Sequence, residues 1–120
     1  MAEEYVVLIV EPEWDPATIT EEQWNQAMTE HGAFAAAVQA AGASILGGDA
    51  LGAQASAVRI HPAAGGKPAF FTDGPFADTK EIITGYYKLG VKDAAQAREL
   101  AALCPTSGTI ELWPVLKTGE

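Results

Sequence analysis

The run "YVVLIV" (Tyr5–Val10) is apolar at every position. A strand with water on one face alternates apolar and polar residues, so a run apolar on both faces needs cover on both sides. The segment that follows, "EPEWDPATI", has two prolines that break regular structure and three acids that keep it in water. Thr20 then opens a helix. Its hydroxyl can cap the free N–H groups, Gln23 can reach back to Thr20, and Glu21 and Glu22 suit the positive end of the helix dipole. Trp24, Met28, His31, Ala35 and Val38 recur at helical spacing with Ala27 and Phe34 beside them, which predicts a buried stripe with His31 in its middle. Gly42 suits the left-handed position that stops the helix.

Beyond the helix, "ASILGGDAL" reads as a short strand interrupted by Gly47-Gly48, and "SAVRIH" as its neighbour. "PAAGGKPA" is a turn, and "FFT" resumes extended chain up to Asp73-Gly74-Pro75-Phe76. In "IITGYYKLGV", alternation predicts Ile83, Tyr87, Leu89 and Val91 on one face and Tyr86 and Lys88 on the other. Asp93 caps a second helix whose buried stripe is Ala94, Ala97, Leu100, Ala101 and Cys104, with Pro105 ending it. "TIELWPV" closes the chain as a strand, and Pro114 places it at an edge or a strand end.

Two helices separated by strands predict a ferredoxin-like α+β sandwich, with both helices on one face of an antiparallel sheet. That layout leaves the other face of Tyr5–Val10 bare. The expected cover is a second copy of the chain, stacked sheet on sheet as a homodimer.

With 120 residues the chain is expected to be a single domain, residues 1–120. At 48% hydrophobic and 19% charged it belongs with globular proteins. Its net charge of -9 repels phosphates and argues against direct nucleic-acid binding. The acidic start lacks the basic flank of a secretory signal, and "VVLIV" is too short to span a membrane. With 1 cysteine there is no internal disulfide, and the expected location is the cytoplasm.

His31 leads the candidates for chemistry. An imidazole on an apolar helix stripe is either a core residue with one satisfied ring nitrogen or, beside a loop carboxylate, a tunable acid or base. Asp73 is the candidate carboxylate. Asp-Gly-Pro is ordinary turn chemistry, but Asp73 follows an apolar strand directly, and rigid Pro75 with an anchoring Phe76 would hold it still. Lys80 and Glu81 solvate the loop or hold and position a substrate anion. Tyr86, facing away from the helices, can line a cavity between stacked sheets, and Arg59 can do the same or simply face water. His61, before Pro62, is expected to be exposed. The two histidines lack metal-ligand spacing, and Glu11, Glu13 and Asp15 do not form a calcium loop. Cys104 reads as an inert core thiol. No metal and no cofactor is expected.

The segment "DGPFADTKE" (Asp73–Glu81), with "HGAFAAAVQAAG" from His31, "GGDAL" from Gly47, "GYYKLGV" from Gly85 and "IELWPV" from Ile110, resembles the YCII-related family, in its DGPF branch. Asp78 stands where that branch usually has Glu, and the charge is kept. The resemblance implies a ferredoxin-like fold paired into a dimeric α+β barrel. It also implies a catalytic dyad at the positions of His31 and Asp73. Read from their own positions, Phe76, Lys80, Glu81 and Tyr86 are the substrate-binding candidates. The resemblance implies no defined reaction; an acid/base pair of this kind could run an isomerisation, elimination or hydrolysis of a small organic molecule. Association with an extracytoplasmic-function sigma factor is a non-catalytic alternative that the resemblance raises. Some barrels of this shape bind haem through a histidine, but this sequence has no attachment motif.

Overall fold

The computed structural model describes residues 3–12, 16–73 and 81–117. Strand β1 (Glu3–Pro12) leads through a 3-10 turn (Pro16–Thr18) to helix α1 (Glu21–Ala40) and strand β2 (Ser44–Ala50). A second 3-10 turn (Gln54–Ser56) precedes strands β3 (Val58–His61) and β4 (Phe70–Asp73). Strand β5 (Glu81–Val91), helix α2 (Ala94–Ala101) and strand β6 (Thr109–Pro114) complete the chain. The class is α+β. A four-stranded antiparallel sheet runs in the order β2-β5-β1-β6, and β3 and β4 pair separately as a hairpin. That order is compatible with the expected ferredoxin-like sandwich, with the hairpin inserted between its second and third strands.

Local chemistry sets the helix ends. Gln23 N–H donates to Thr20 Oγ1 at 3.1 Å, and Thr20 N–H donates to Gln23 Oε1 at 3.0 Å, a closed capping box. Gly42, at φ 79°, takes the left-handed position after α1. Asp93 caps α2 by accepting from Gln96 N–H at 2.8 Å.

Both helices pack on one face of the sheet around a single core. Val7, Ile9, Leu89 and Val91 come from the sheet, Phe34 and Val38 from α1, and Ala97, Leu100 and Ala101 from α2. Val7, Phe34, Val38, Leu89 and Val91 are almost fully buried. Each buried side chain of this size stabilises the fold by about 1.5–3 kcal/mol. The other face of β1 carries Val6, Leu8 and Val10, which remain half-buried with no helix over them. Lys88 and Glu4 form an ion pair at 3.0 Å beside that apolar strip.

Three expectations need correction. Strand β2 is not interrupted by its glycines; it continues past them with a bulge between Ile45 and Gly47. "SAVRIH" is not the neighbour of β2, whose partner is β5; it pairs with β4, residue by residue from Val58↔Asp73 to His61↔Phe70. Ile83 does not share a face with Tyr87. Ile9 opposes Gly85 and Val10 opposes Ile83, so Thr84 is the extra residue of a bulge that reverses the alternation. Ile83 therefore joins Val10 on the open face and is 46% exposed.

The β3–β4 hairpin packs chiefly on itself and exposes Val58, Ile60, Phe70 and Phe71. The radius of gyration, 17.0 Å, exceeds the roughly 14 Å of a compact domain of this length, as a projecting arm requires.

The Gln54 side chain is buried, and among the described residues neither its amide nitrogen nor its oxygen finds a hydrogen-bond partner. An unpaired buried amide costs about 1–3 kcal/mol. Gln54→Met, which keeps the shape and removes the polar atoms, is expected to raise the urea midpoint by the equivalent of about 1 kcal/mol. A lowered midpoint would show that this amide has a partner in solution.

Candidate active site

A cleft of about 1030 Å³ opens between the first half of α1, the end of β1 and the β2–β5 edge of the sheet. Only the second half of the apolar stripe on α1 enters the core. Phe34 and Val38 are buried, whereas Trp24 and Met28 are 51% and 58% exposed and line the cleft with Ala27 and His31. The helix overhangs the sheet here, and its apolar residues wall an open space.

His31 Nδ1 lies 2.6 Å from Tyr87 Oη. Tyr87 is placed by the sheet: it opposes Val7 on the helix-facing side, and its ring packs on Phe34 with centroids 4.9 Å apart. Gly48 opposes Tyr87 in β2, and a Cβ there would approach Tyr87 Cδ1 to 2.8 Å and the Tyr86 carbonyl to 2.7 Å. Only glycine lets the phenol lie against that strand. Burial and the nearby Cys104 push the Tyr87 pKa up, so the phenol stays protonated. In the neutral His31 tautomer with the ring proton on Nε2, the Tyr87 O–H donates to Nδ1. When His31 is protonated, Nδ1–H donates to Oη instead. The contact can be kept in both states.

Glu11 stands on the same side of β1 near the strand end. Its Oε1 accepts from Thr84 Oγ1 at 2.6 Å. Its Oε2 accepts from Thr106 Oγ1 at 3.0 Å, Ser107 N–H at 2.9 Å and Ser107 Oγ at 3.3 Å. Burial opposes the charge, but these donors outweigh it and hold the Glu11 pKa below its ordinary 4.5. Thr84, the bulge residue of β5, thus ties β1 to β5 through its side chain as well.

The other candidate residues are dispersed. Tyr86 faces away from the helices and donates to Asp49 Oδ2 at 2.8 Å; both also line the rim of the cleft. Asp73 is exposed at the end of β4, in the hairpin that pairs apart from the main sheet, where it opposes Val58. No hydrogen bond joins it to His31 within the chain, and it does not line the cleft. Glu81 is exposed at the start of β5 opposite Pro12. Phe76 and Lys80 lie outside the described residues. His61 is half-buried, its ring stacked on Phe70 with centroids 4.1 Å apart. Burial and Glu11 push the Cys104 thiol up to about 11, which keeps it un-ionised at neutral pH. Among the described residues, no group of three or more His, Cys, Asp or Glu side chains is placed to hold a metal ion.

Tyr87 and Glu11 are the site residues that sequence reasoning passed over. Strand parity carried the signal for both. Tyr87 shares its face with Leu89 and Val91, and Glu11 continues the series Tyr5, Val7, Ile9 on the helix-facing side.

A model of the YCII-related domain matches residues 4–118, and the chain belongs to that family. No curated protein matches it. Among the described residues, no helix is long and apolar enough to cross a membrane.

The Glu11 geometry fixes a pH dependence. Its folded pKa lies below the unfolded value, so the carboxylate contributes stability above about pH 4.5 and loses it as pH falls through the folded value. Glu11→Gln is expected to cost about 1–2 kcal/mol near pH 7, discounted for the partial exposure of the group, and less at about pH 3. Urea unfolding of both proteins at the two pH values measures the gap. A gap that stays constant would mean that the charge contributes nothing.

Proposed function

We propose that this YCII-related protein is a small acid/base enzyme that works on an organic substrate in the cleft beside α1. The observation that carries the reading is the 2.6 Å contact between His31 Nδ1 and Tyr87 Oη in a largely apolar cleft. His31 takes up and returns a proton, and Tyr87 orients the ring and stabilises either charge state. Removal of a proton next to an electron-withdrawing group, followed by its return at another atom or by loss of a leaving group, needs only such a pair and exclusion of water. Isomerisation and elimination fit it best.

Proton transfer by a placed side chain contributes about 10²–10⁴-fold to rate. His31→Ala is therefore expected to abolish turnover of any substrate found by screening. Tyr87→Phe is expected to lower kcat more than KM. Full activity of folded His31→Ala would rule this reading out.

Asp73 enters through association of two copies. The open face of the sheet, with Val6, Leu8, Ile83 and Trp113, and the hairpin bearing Asp73 both expose apolar residues that need cover. Two chains stacked sheet on sheet, as in a dimeric α+β barrel, would cover the first and give the hairpin a surface to settle on. The expected dyad of His31 with Asp73 would then form between or within copies. Sedimentation should show a dimer, and Leu8→Glu should yield a folded monomer. A monomeric wild type at 100-fold above a micromolar concentration, roughly the range of weak homodimers, would exclude the arrangement.

The same exposed surfaces favour a second reading, a non-catalytic module that docks on another protein. A net charge of -9 suits a basic partner surface, and a sigma factor is the partner this reading puts forward. Specific recovery of such a factor with a chain that turns over no ligand would favour it.

A further inference from the structure

We propose that the ligand of the cleft is a cation: an ammonium group joined by an apolar body to the part that reacts at His31. This rests on the reading of the cleft as a ligand site and adds the charge and shape of what enters it.

The cleft has two chemically distinct ends. Tyr87, which holds His31, opposes Val7 on β1, and Glu11 lies four residues further along the same strand and the same face. At about 3.3 Å per residue the two positions are roughly 13 Å apart. Ile9 of β1 and Trp24, Met28 and Phe34 of α1 line the space between and offer no hydrogen bond to a ligand except through the indole of Trp24. The body of the ligand is therefore apolar, and its polar groups sit at its ends.

Glu11 sets the sign of the charge at the far end. Of its two oxygens, Oε2 already takes three donors, but among the described residues Oε1 takes only the Thr84 hydroxyl and retains an acceptor position. The donors fix the carboxylate in place, so a ligand N–H finds its acceptor already oriented and ionised. No Lys or Arg lines the cleft among the described residues, whereas Glu30 does. Beside apolar walls this field favours a cation and opposes an anion more than it would in water. The exposed face of Trp24 adds attraction for an ammonium passing along the helix.

Three probes of one shape test the charge directly: 4-phenylbutylamine, 4-phenylbutanol and 4-phenylbutanoate. Each is titrated into the full-length protein while the His31 ring resonances are followed. The amine is expected to bind about tenfold tighter than the alcohol, and the carboxylate to bind most weakly. The advantage of the amine should shrink with added salt and disappear in Glu11→Gln. Equal affinity for amine and alcohol, or preference for the carboxylate, in the unmodified protein would overturn the cation proposal and leave the cleft a binding site. Failure of all three to move the His31 signals would overturn both readings. Because the comparison among probes is made on unmodified protein, it stands even if the variant is unstable.

Discussion

The antiparallel pairing of β1 with β5 fixes which side chains meet the helices. Val7, Ile9, Tyr87 and Leu89 face α1 and α2 because Val7 opposes Tyr87 and Tyr5 opposes Leu89. One extra residue, Thr84, reverses the alternation on β5 below Gly85. Above the bulge, side chains of β5 fill the core. Below it, Ile83 turns to the open face, and the buried Thr84 hydroxyl is spent on Glu11. The same irregularity thus ends the core and builds the polar end of the cleft.

Helix α1 serves both regions with one continuous stripe. Where the sheet lies beneath it, Phe34 and Val38 are buried; where the sheet gives out, Trp24 and Met28 become cleft walls. His31 falls at the changeover and finds its partner in Tyr87, the strand residue at the same boundary. A phenol is well matched to this place. A carboxylate there would bias the imidazole toward its charged form, whereas a hydroxyl donates to the neutral ring and accepts from the protonated one.

Much of the local structure was legible in the sequence because its causes are short-range. The Thr20–Gln23 capping box, the Asp93 cap and the Gly42 stop each depend on residues within a turn of one another. His31 was legible as a candidate because its stripe has helical period. Its partner was less so: alternation showed the face of Tyr87, but no local pattern ties Tyr87 to His31 rather than to Asp73 at the end of β4. The hairpin misled in the same way. "SAVRIH" and "FFT" read as strands, but their alternation says nothing about which strand pairs with which. In the fold they pair with each other, away from the main sheet.

By itself the sequence determined the class and the element order, since periodicity, caps and turn residues act over a few positions. It also marked β1 as a strand with two apolar faces, of which the fold covers one. Tertiary structure alone decided the register shift at Thr84, the burial of only half the α1 stripe, and the meeting of Glu11 with Thr106 and Ser107 across 95 and 96 positions of chain. Such contacts depend on how whole elements seat against each other, and packing of that kind leaves no local period to read.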